Sequence, residues 1–506
     1  MTPGSGVETL GDASEDAVPG RTVGGPFPTP VAADKVFDVV ITGGRVMDPE
    51  TGFDRIANVG IDGDAVAAIT DQPIRGRTQI DASGLVVAPG FIDLLSYAPN
   101  TVGVWYKIGD GVTTNLGMHG LELDAKPWFD RWSRTRPPIN YGGAFSWALT
   151  RGRLGISVYE PATPEQLEAL VASAEQSLQD GYMGIDLSLE YAPGISREEV
   201  LAAGRIAARY NVPLFFHGRY SDMEPPGTNF DTLDEILDTA RQTGASVHVE
   251  HINSTGGTFT MAESLALLDK ARADGVDVTA CIYPYNYWGT YLGSTRFDPG
   301  WQERFRISYG DLEVAGTGER LTAATFAEYR RQNKLVVAYA IPEEDIRTAL
   351  RSPWVMLGSD AILEPSHNNH PRASGNFSRV LGKYVREEKV LSLMDALAKM
   401  TILPARRLEG AAPAMKQKGR LQVGADADIT IFNPDTVADR ATVQDPAQFS
   451  AGIDWVLVAG QIVKDPSGVR RDVRPGRAVK SRLQPGLNAS AAEPTVTTAT
   501  AGGAMP

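Results

Sequence analysis

Only six histidines occur in 506 residues, and three of them stand, with one aspartate, where strands should end. His217 closes the apolar run Leu214-Phe-Phe, and His251 closes Val247-His-Val-Glu-His251. Asp360 closes Val355-Met-Leu-Gly-Ser-Asp360, and His119 follows the run Thr113–Leu116 within Gly117-Met-His-Gly120. Imidazoles grouped at the ends of neighbouring strands can hold a divalent ion, and a carboxylate beside them is a basic partner. Each histidine taken alone also reads as a hydrogen-bonded core or rim residue, so it is the shared position that points to a metal site. Side chains alternate along a strand, which places His251 on the face of Val247 and Val249 and turns His248 and Glu250 the other way. His367 and His370 fall on a loop, with His370 close to Arg372. The single cysteine, Cys281, reads as a small buried hydrophobe, since a nucleophile needs a base beside it. Glu190 and Glu122 are further carboxylates in the region, with solvated or hydrogen-bonded roles as the simpler reading.

The elements that must position these residues alternate in type. Helix Pro164–Gln179 precedes strand Gly184–Leu189, and helix Glu198–Tyr210 precedes strand Pro213–His217. Helix Thr232–Thr243 leads to strand Ser246–His251, and helix Met261–Asp274 leads to strand Val276–Tyr283. Helix Pro342–Leu350 precedes strand Val355–Asp360, and helix Leu391–Lys399 follows. This rhythm requires a parallel sheet or barrel, whose chemistry sits where strands end. Residues 286–340 interrupt it with aromatic and charged sequence, an insertion placed to cap a site. Residues Phe37–Val87 read as all β, with a hairpin at Asp62-Gly63, and a second β block spans Asp428–Phe432 and Val456–Val463. Strand blocks at both ends predict one small sheet domain assembled from the two termini.

Composition sets the outer bounds. The chain is 42% hydrophobic and 22% charged, as a soluble globular protein is, and long enough for a large barrel with a satellite domain. A net charge of −14 argues against nucleic acid or an anionic membrane surface as partner. A lone cysteine excludes a disulfide framework and suits a reducing compartment. No secretion signal or apolar run of membrane-spanning length is read, so the expected location is cytoplasmic, with a small molecule as partner. Residues 1–35 and 484–506 lack periodicity and read as disordered ends.

The ordered motifs resemble those of the amidohydrolase superfamily, in its D-aminoacylase (N-acyl-D-amino-acid deacylase) branch, over residues 36–470. The matching stretches include Pro89-Gly-Phe-Ile-Asp93, Gly111-Val-Thr-Thr114 and Leu187-Ser-Leu-Glu-Tyr-Ala-Pro-Gly194. Others are His217-Gly-Arg219, Glu250-His251, Tyr283-Pro-Tyr285, Gly358-Ser-Asp360, His370-Pro-Arg372 and Lys418–Asp428. The resemblance implies a (β/α)8 TIM-like barrel over 89–405 and a β-sandwich built from 36–88 and 406–475. It implies a metal-dependent hydrolase of C–N amide bonds, acting on a substrate like an N-acyl-D-amino acid. Position by position, it makes His217 and His251 metal ligands and sets His119 where the family has a cysteine. Asp360 becomes the catalytic carboxylate, while Tyr283 and Arg372, with His370 beside them, become the group that meets the substrate carboxylate. One divalent ion, zinc, is the implied cofactor.

The first barrel strand departs from the family. After Pro89-Gly-Phe-Ile-Asp93 the family reads x-His-x-His for a second metal position, but this chain has Leu95 and Tyr97. Neither is a plausible zinc ligand: one is aliphatic and the other a phenol of pKa about 10. Tyr97 and Trp105 are read as filling the vacated space, and Asn253 stands where the family often has a lysine. Two other functions stay open on this reading. One is a non-hydrolytic reaction on the same metal and barrel, such as condensation, elimination or isomerisation; the other is a degenerate barrel that binds without turnover.

Overall fold

The computed structural model describes residues 21–121 and 124–482. Eight parallel strands follow one another in chain order: β1 (Phe91–Asp93), β2 (Val112–Leu121), β3 (Asn140–Ser146), β4 (Ile185–Ser188), β5 (Leu214–His217), β6 (Val247–Val249), β7 (Val278–Ile282) and β8 (Met356–Leu357). Each pairs with its sequence neighbour, and the residues after β8 bond back to β1 and the residues after it. There the Asp360 amide donates to the Leu95 carbonyl at 2.7 Å, and the Ser359 amide to Asp93 Oδ1 at 2.9 Å. Lys107 Nζ lies 2.6 Å from both Asp93 Oδ2 and Ser359 Oγ, so a fully buried ion pair closes the seam. Gly358 is required at this seam, because a Cβ there would stand 2.6 Å from the Cβ of Leu95. The architecture is thus an α/β barrel, nearly closed by its parallel strands.

The helices between strands are fixed by short-range chemistry. Thr163 with Gln166, Ser196 with Glu199, and Thr228 with Asp231 form capping boxes at three helix starts. Two of those helices end on left-handed residues, Asn211 and Gly244. The segment expected as an insertion forms a three-stranded antiparallel sheet from Trp288–Tyr291, Leu312–Val314 and Leu335–Ala338. It stays with the barrel mouth: the Thr295 hydroxyl donates to the Glu190 carbonyl at 2.6 Å.

Strands from both ends share a nine-stranded sheet, joined where Val86–Pro89 runs antiparallel to Ile429–Phe432. The hairpin at Asp62-Gly63 links Phe53–Asp62 to Ala65–Thr70, with Gly63 at φ 57°. Residues 21–35 correct the expectation of a disordered start. Thr29 N donates to Ile69 O at 2.8 Å, the Phe27 ring packs edge-on against Phe53, and Arg21 pairs with Asp64 and Asp426. Sequence without periodicity is held here by long-range partners. Residues 1–20, Glu122 and the tail 484–506 lie outside the described residues.

Candidate active site

His119, His217 and His251 converge at the C-terminal end of the barrel, and Glu250 joins them. Their ligand-capable atoms all lie within 4.8 Å of one another. His217 is the last residue of β5, while His119 sits near the end of β2 before Gly120, whose φ is 88°. His251 lies two residues past β6 with φ 25°, and Asp360 lies three past β8 with φ 50°. Both side chains are therefore aimed from left-handed backbone, which non-glycine residues adopt at a cost.

The donor set fits a divalent cation. His217 Nδ1 and His251 Nε2 are 3.1 Å apart, close to the edge of about 3.3 Å between two nitrogens of a tetrahedral zinc site. Each ring's other nitrogen has a partner: His217 Nε2 is 3.0 Å from Glu190 Oε2, and His251 Nδ1 is 3.2 Å from Ser254 Oγ. Such outer partners fix the tautomer that leaves a lone pair pointing inward. Glu250 Oε2 contacts His119 Nδ1 and stands 4.0 Å from His251 Nε2, while its buried Oε1 has no partner.

Protonation agrees with this assignment for His217 and His251. Burial pushes His217 down to about 4 and His251 well below the usual imidazole range, so both are neutral and able to ligate. For His119, burial works against the charged form but the Glu250 carboxylate outweighs it, raising the pKa to about 10, so this imidazole holds a proton that an ion bound there would displace. Burial also works to raise Glu190, and Arg296, His217 and Ser221 together hold it lower.

Asp360 faces the cluster, with Oδ2 at 3.7 Å from His251 Nε2. Arg372 Nη2 meets that same oxygen at 2.7 Å, and the Tyr97 hydroxyl donates to Oδ1 at 3.1 Å. Burial would raise this carboxyl, but Arg372 and the histidines hold it well below the usual range, so it is ionised. The Arg372 guanidinium lies 4.2 Å over the Tyr283 ring, and its Nε and Nη1 are buried without a partner. The Tyr283 hydroxyl is also buried and unpartnered, and burial pushes it up to about 12, keeping it a donor. Three unused donors beside a catalytic-type carboxylate suit a small anionic group.

The other expected residues take supporting places. His370 donates or accepts only to backbone: Nδ1 accepts from the Arg372 amide at 3.0 Å, and Nε2 lies 3.0 Å from the Tyr287 carbonyl. With both nitrogens committed it anchors the start of the helix Arg372–Arg379. Cys281 is buried, receives the His251 amide at 3.3 Å, and has its thiol pushed far up by burial, which removes it as a nucleophile. His248 faces outward as expected, bonded to Thr279 Oγ1 at 2.8 Å and packed on Phe215. Asn253 donates to the Tyr283 carbonyl at 3.0 Å. Glu250 is a correction: alternation turned it outward, but the strand ends at Val249 and the next turn swings both Glu250 and His251 inward.

The comparisons with known proteins agree with this geometry. The model of the amidohydrolase family matches residues 331–464. An N-acyl-D-glutamate deacylase of Alcaligenes xylosoxydans xylosoxydans is 33% identical over 486 residues, covering 88% of this chain and 96% of its own length. The chain belongs to the D-aminoacylase-like amidohydrolases. Among solved amidohydrolases of this branch, an N-acyl-D-glutamate deacylase from Bordetella bronchiseptica, complexed with zinc and a phosphonate inhibitor mimicking the tetrahedral intermediate, superposes with a TM-score of 0.77. It is 28% identical and is covered entirely by 88% of this chain. A D-aminoacylase described by one-metal activation and second-metal attenuation of its binuclear centre superposes with a TM-score of 0.76 at 25% identity, again over 88% of this chain and all of that one.

Sequence reasoning missed four members of this amidohydrolase site in their present roles: Glu250 in the cluster, Glu190 behind His217, Tyr97 on Asp360, and Arg296. Arg296 comes from the insertion, donates to Ser254 O at 2.8 Å and stands 3.3 Å from Glu190. The one signal available was that Glu190 and Glu250 sit inside the motifs that carry the resemblance. Among the described residues no helix is long and apolar enough to cross a membrane.

Proposed function

We propose that this amidohydrolase is a cytoplasmic, mononuclear deacylase that hydrolyses the C–N amide bond of N-acyl-D-amino acids. The observation that carries this reading is the convergence of three imidazoles, Asp360 and the unused donors of Arg372 and Tyr283 in one barrel mouth. His119, His217 and His251 would hold one divalent ion, zinc, with Glu250 against His119. When bound, such an ion supplies Lewis-acid chemistry, polarising the scissile carbonyl and making a water more acidic. Asp360 accepts the proton that water loses as its oxygen bonds to the carbonyl carbon. It then delivers that proton to the amine nitrogen as the C–N bond breaks, leaving a carboxylate and a free amino acid. Arg372 and Tyr283 hold the substrate α-carboxylate, which fixes the amide against Asp360. The choice of D-amino acids rests on the names of the relatives, and the single ion on Leu95 and Tyr97, neither of which is a plausible zinc ligand.

The test joins metal analysis to a substrate panel. Purified protein should carry about one zinc-like ion per chain by elemental analysis and release free amine from N-acyl-D- but not N-acyl-L-amino acids. Asp360→Asn should abolish turnover and keep the metal. A folded wild-type chain with no metal, and no activity gained on adding zinc, refutes the reading.

A further inference from the structure

The altered first strand does more than leave a gap. Leu95 and Tyr97 lie two and four residues past the end of β1. Leu95 is fully buried and packs at the β8 seam, where Gly358 leaves it room. Tyr97 stands one layer higher at the rim, 37% exposed, with its ring edge-on to His119 at 5.4 Å between centroids. The backbone under it is pinned on two sides. Ser96 N donates to Leu116 O at 2.9 Å, and Asn115 Nδ2 donates to Tyr97 O at 3.0 Å. On the other side the Asp360 amide donates to Leu95 O at 2.7 Å. The phenol therefore has little freedom, and its hydroxyl reaches Asp360 Oδ1 at 3.1 Å.

That contact matters because of how Asp360 is otherwise held. Arg372 binds Oδ2 alone, and one contact on one oxygen leaves a carboxylate free to swivel about its terminal bond. A group that must receive a proton from one side and return it to another needs a fixed plane. With the phenol on Oδ1 and the guanidinium on Oδ2, both oxygens are tied.

We infer that Tyr97 is a positioning residue of the reaction: standing where relatives of the family keep a metal-ligand histidine, it fixes the carboxylate of Asp360 by hydrogen bonding and binds no ion. The inference rests on the reading of Asp360 as the proton-transferring group.

Tyr97→Phe in the full, metal-loaded chain tests it, since phenylalanine keeps the ring against His119 and removes only the hydroxyl. A hydrogen bond to a charged group is lost, so kcat should fall about 10- to 100-fold. KM should stay within about twofold, because substrate is gripped elsewhere, and metal content should be unchanged. A second measurement needs no turnover. In a crystal structure of the zinc-loaded wild type the phenol should remain within hydrogen-bond reach of Asp360, and in Tyr97→Phe the carboxylate should turn or split into two conformers. Wild-type kcat in the variant overturns the inference, as does metal lost in step with activity, or a phenol that points away from Asp360 in the wild type. If the wild type cleaves none of the N-acyl amino acids, the proposed function fails, while the metal and crystallographic readouts still decide the role of Tyr97.

Discussion

Arg372 offers a perturbation whose size follows from its contacts. One of its nitrogens is tied to Asp360 at 2.7 Å, and the other two, Nε and Nη1, are buried without a partner beside the equally unpartnered Tyr283 hydroxyl. Buried donors left unpaired are costly, so a substrate carboxylate that satisfies them recovers that cost on binding. Arg372→Lys keeps the positive charge near Asp360 but replaces a planar fork with a point donor. At least one charge-assisted hydrogen bond to the carboxylate is lost, worth about 1.5–3 kcal/mol, or about 10- to 150-fold in kcat/KM. A methionine would be a poorer probe, because it would also strip the buried Asp360 of its counter-charge.

The assay compares an N-acetyl-D-amino acid with its carboxamide, which lacks the anionic group. Wild type should prefer the acid strongly. In Arg372→Lys that preference should shrink by about the same 10- to 150-fold, mainly through a raised KM, while the carboxamide is cleaved nearly as before. If the variant slows acid and carboxamide by the same factor, Arg372 acts only through Asp360, and the assignment of Arg372 as the carboxylate grip is wrong.

Other tests probe the supports of the site. Glu190→Gln removes the carboxylate behind His217 Nε2 and should weaken zinc binding about 10- to 100-fold in a chelator competition; an unchanged affinity would show that Glu190 does not orient this imidazole. Lys399 is buried, donates to the Val355 carbonyl at 2.9 Å just before β8, and has its pKa lowered by burial to about 8 from 10.5. Between those values the unfolded chain binds more protons, so the wild type should gain stability relative to Lys399→Met as pH rises from 8 to 10. The gain is up to about 1.4 kcal/mol per unit by urea unfolding, and a difference that stays flat over that range contradicts the assignment.

What was legible in the sequence is what local rules decide. Alternation within a strand turned His248 outward correctly, because it lies inside β6. It failed for Glu250, one residue past the end of β6, where the chain is already turning toward a left-handed His251. The alternating helices and strands were readable from periodicity, and capping residues such as Thr163 and Ser196 mark two of the helix starts. The pairings that tune the site were not readable. Tyr97 meets Asp360 across 263 positions of sequence, and His119 meets Glu250 across 131. Only barrel closure brings such residues together, and no local pattern encodes it. Residues 21–35 show the same limit, since their order comes from Asp64, Ile69 and Asp426.

The closure of the barrel and the placement of the Asp360 carboxylate are one structural problem. A left-handed backbone at Asp360 costs about 1–3 kcal/mol and persists only where its surroundings dictate it. Those surroundings are the β1 edge: the Leu95 carbonyl takes the Asp360 amide, and Asp93 takes the Ser359 amide and the buried Lys107. Leu95 and Tyr97 offer no plausible metal ligand, yet the edge delivers four contacts to the Ser359-Asp360 turn, three from backbone or the buried Asp93 carboxylate and one from the Tyr97 phenol. On the proposed mechanism, this grip on Asp360 is the part that the first strand plays in the reaction.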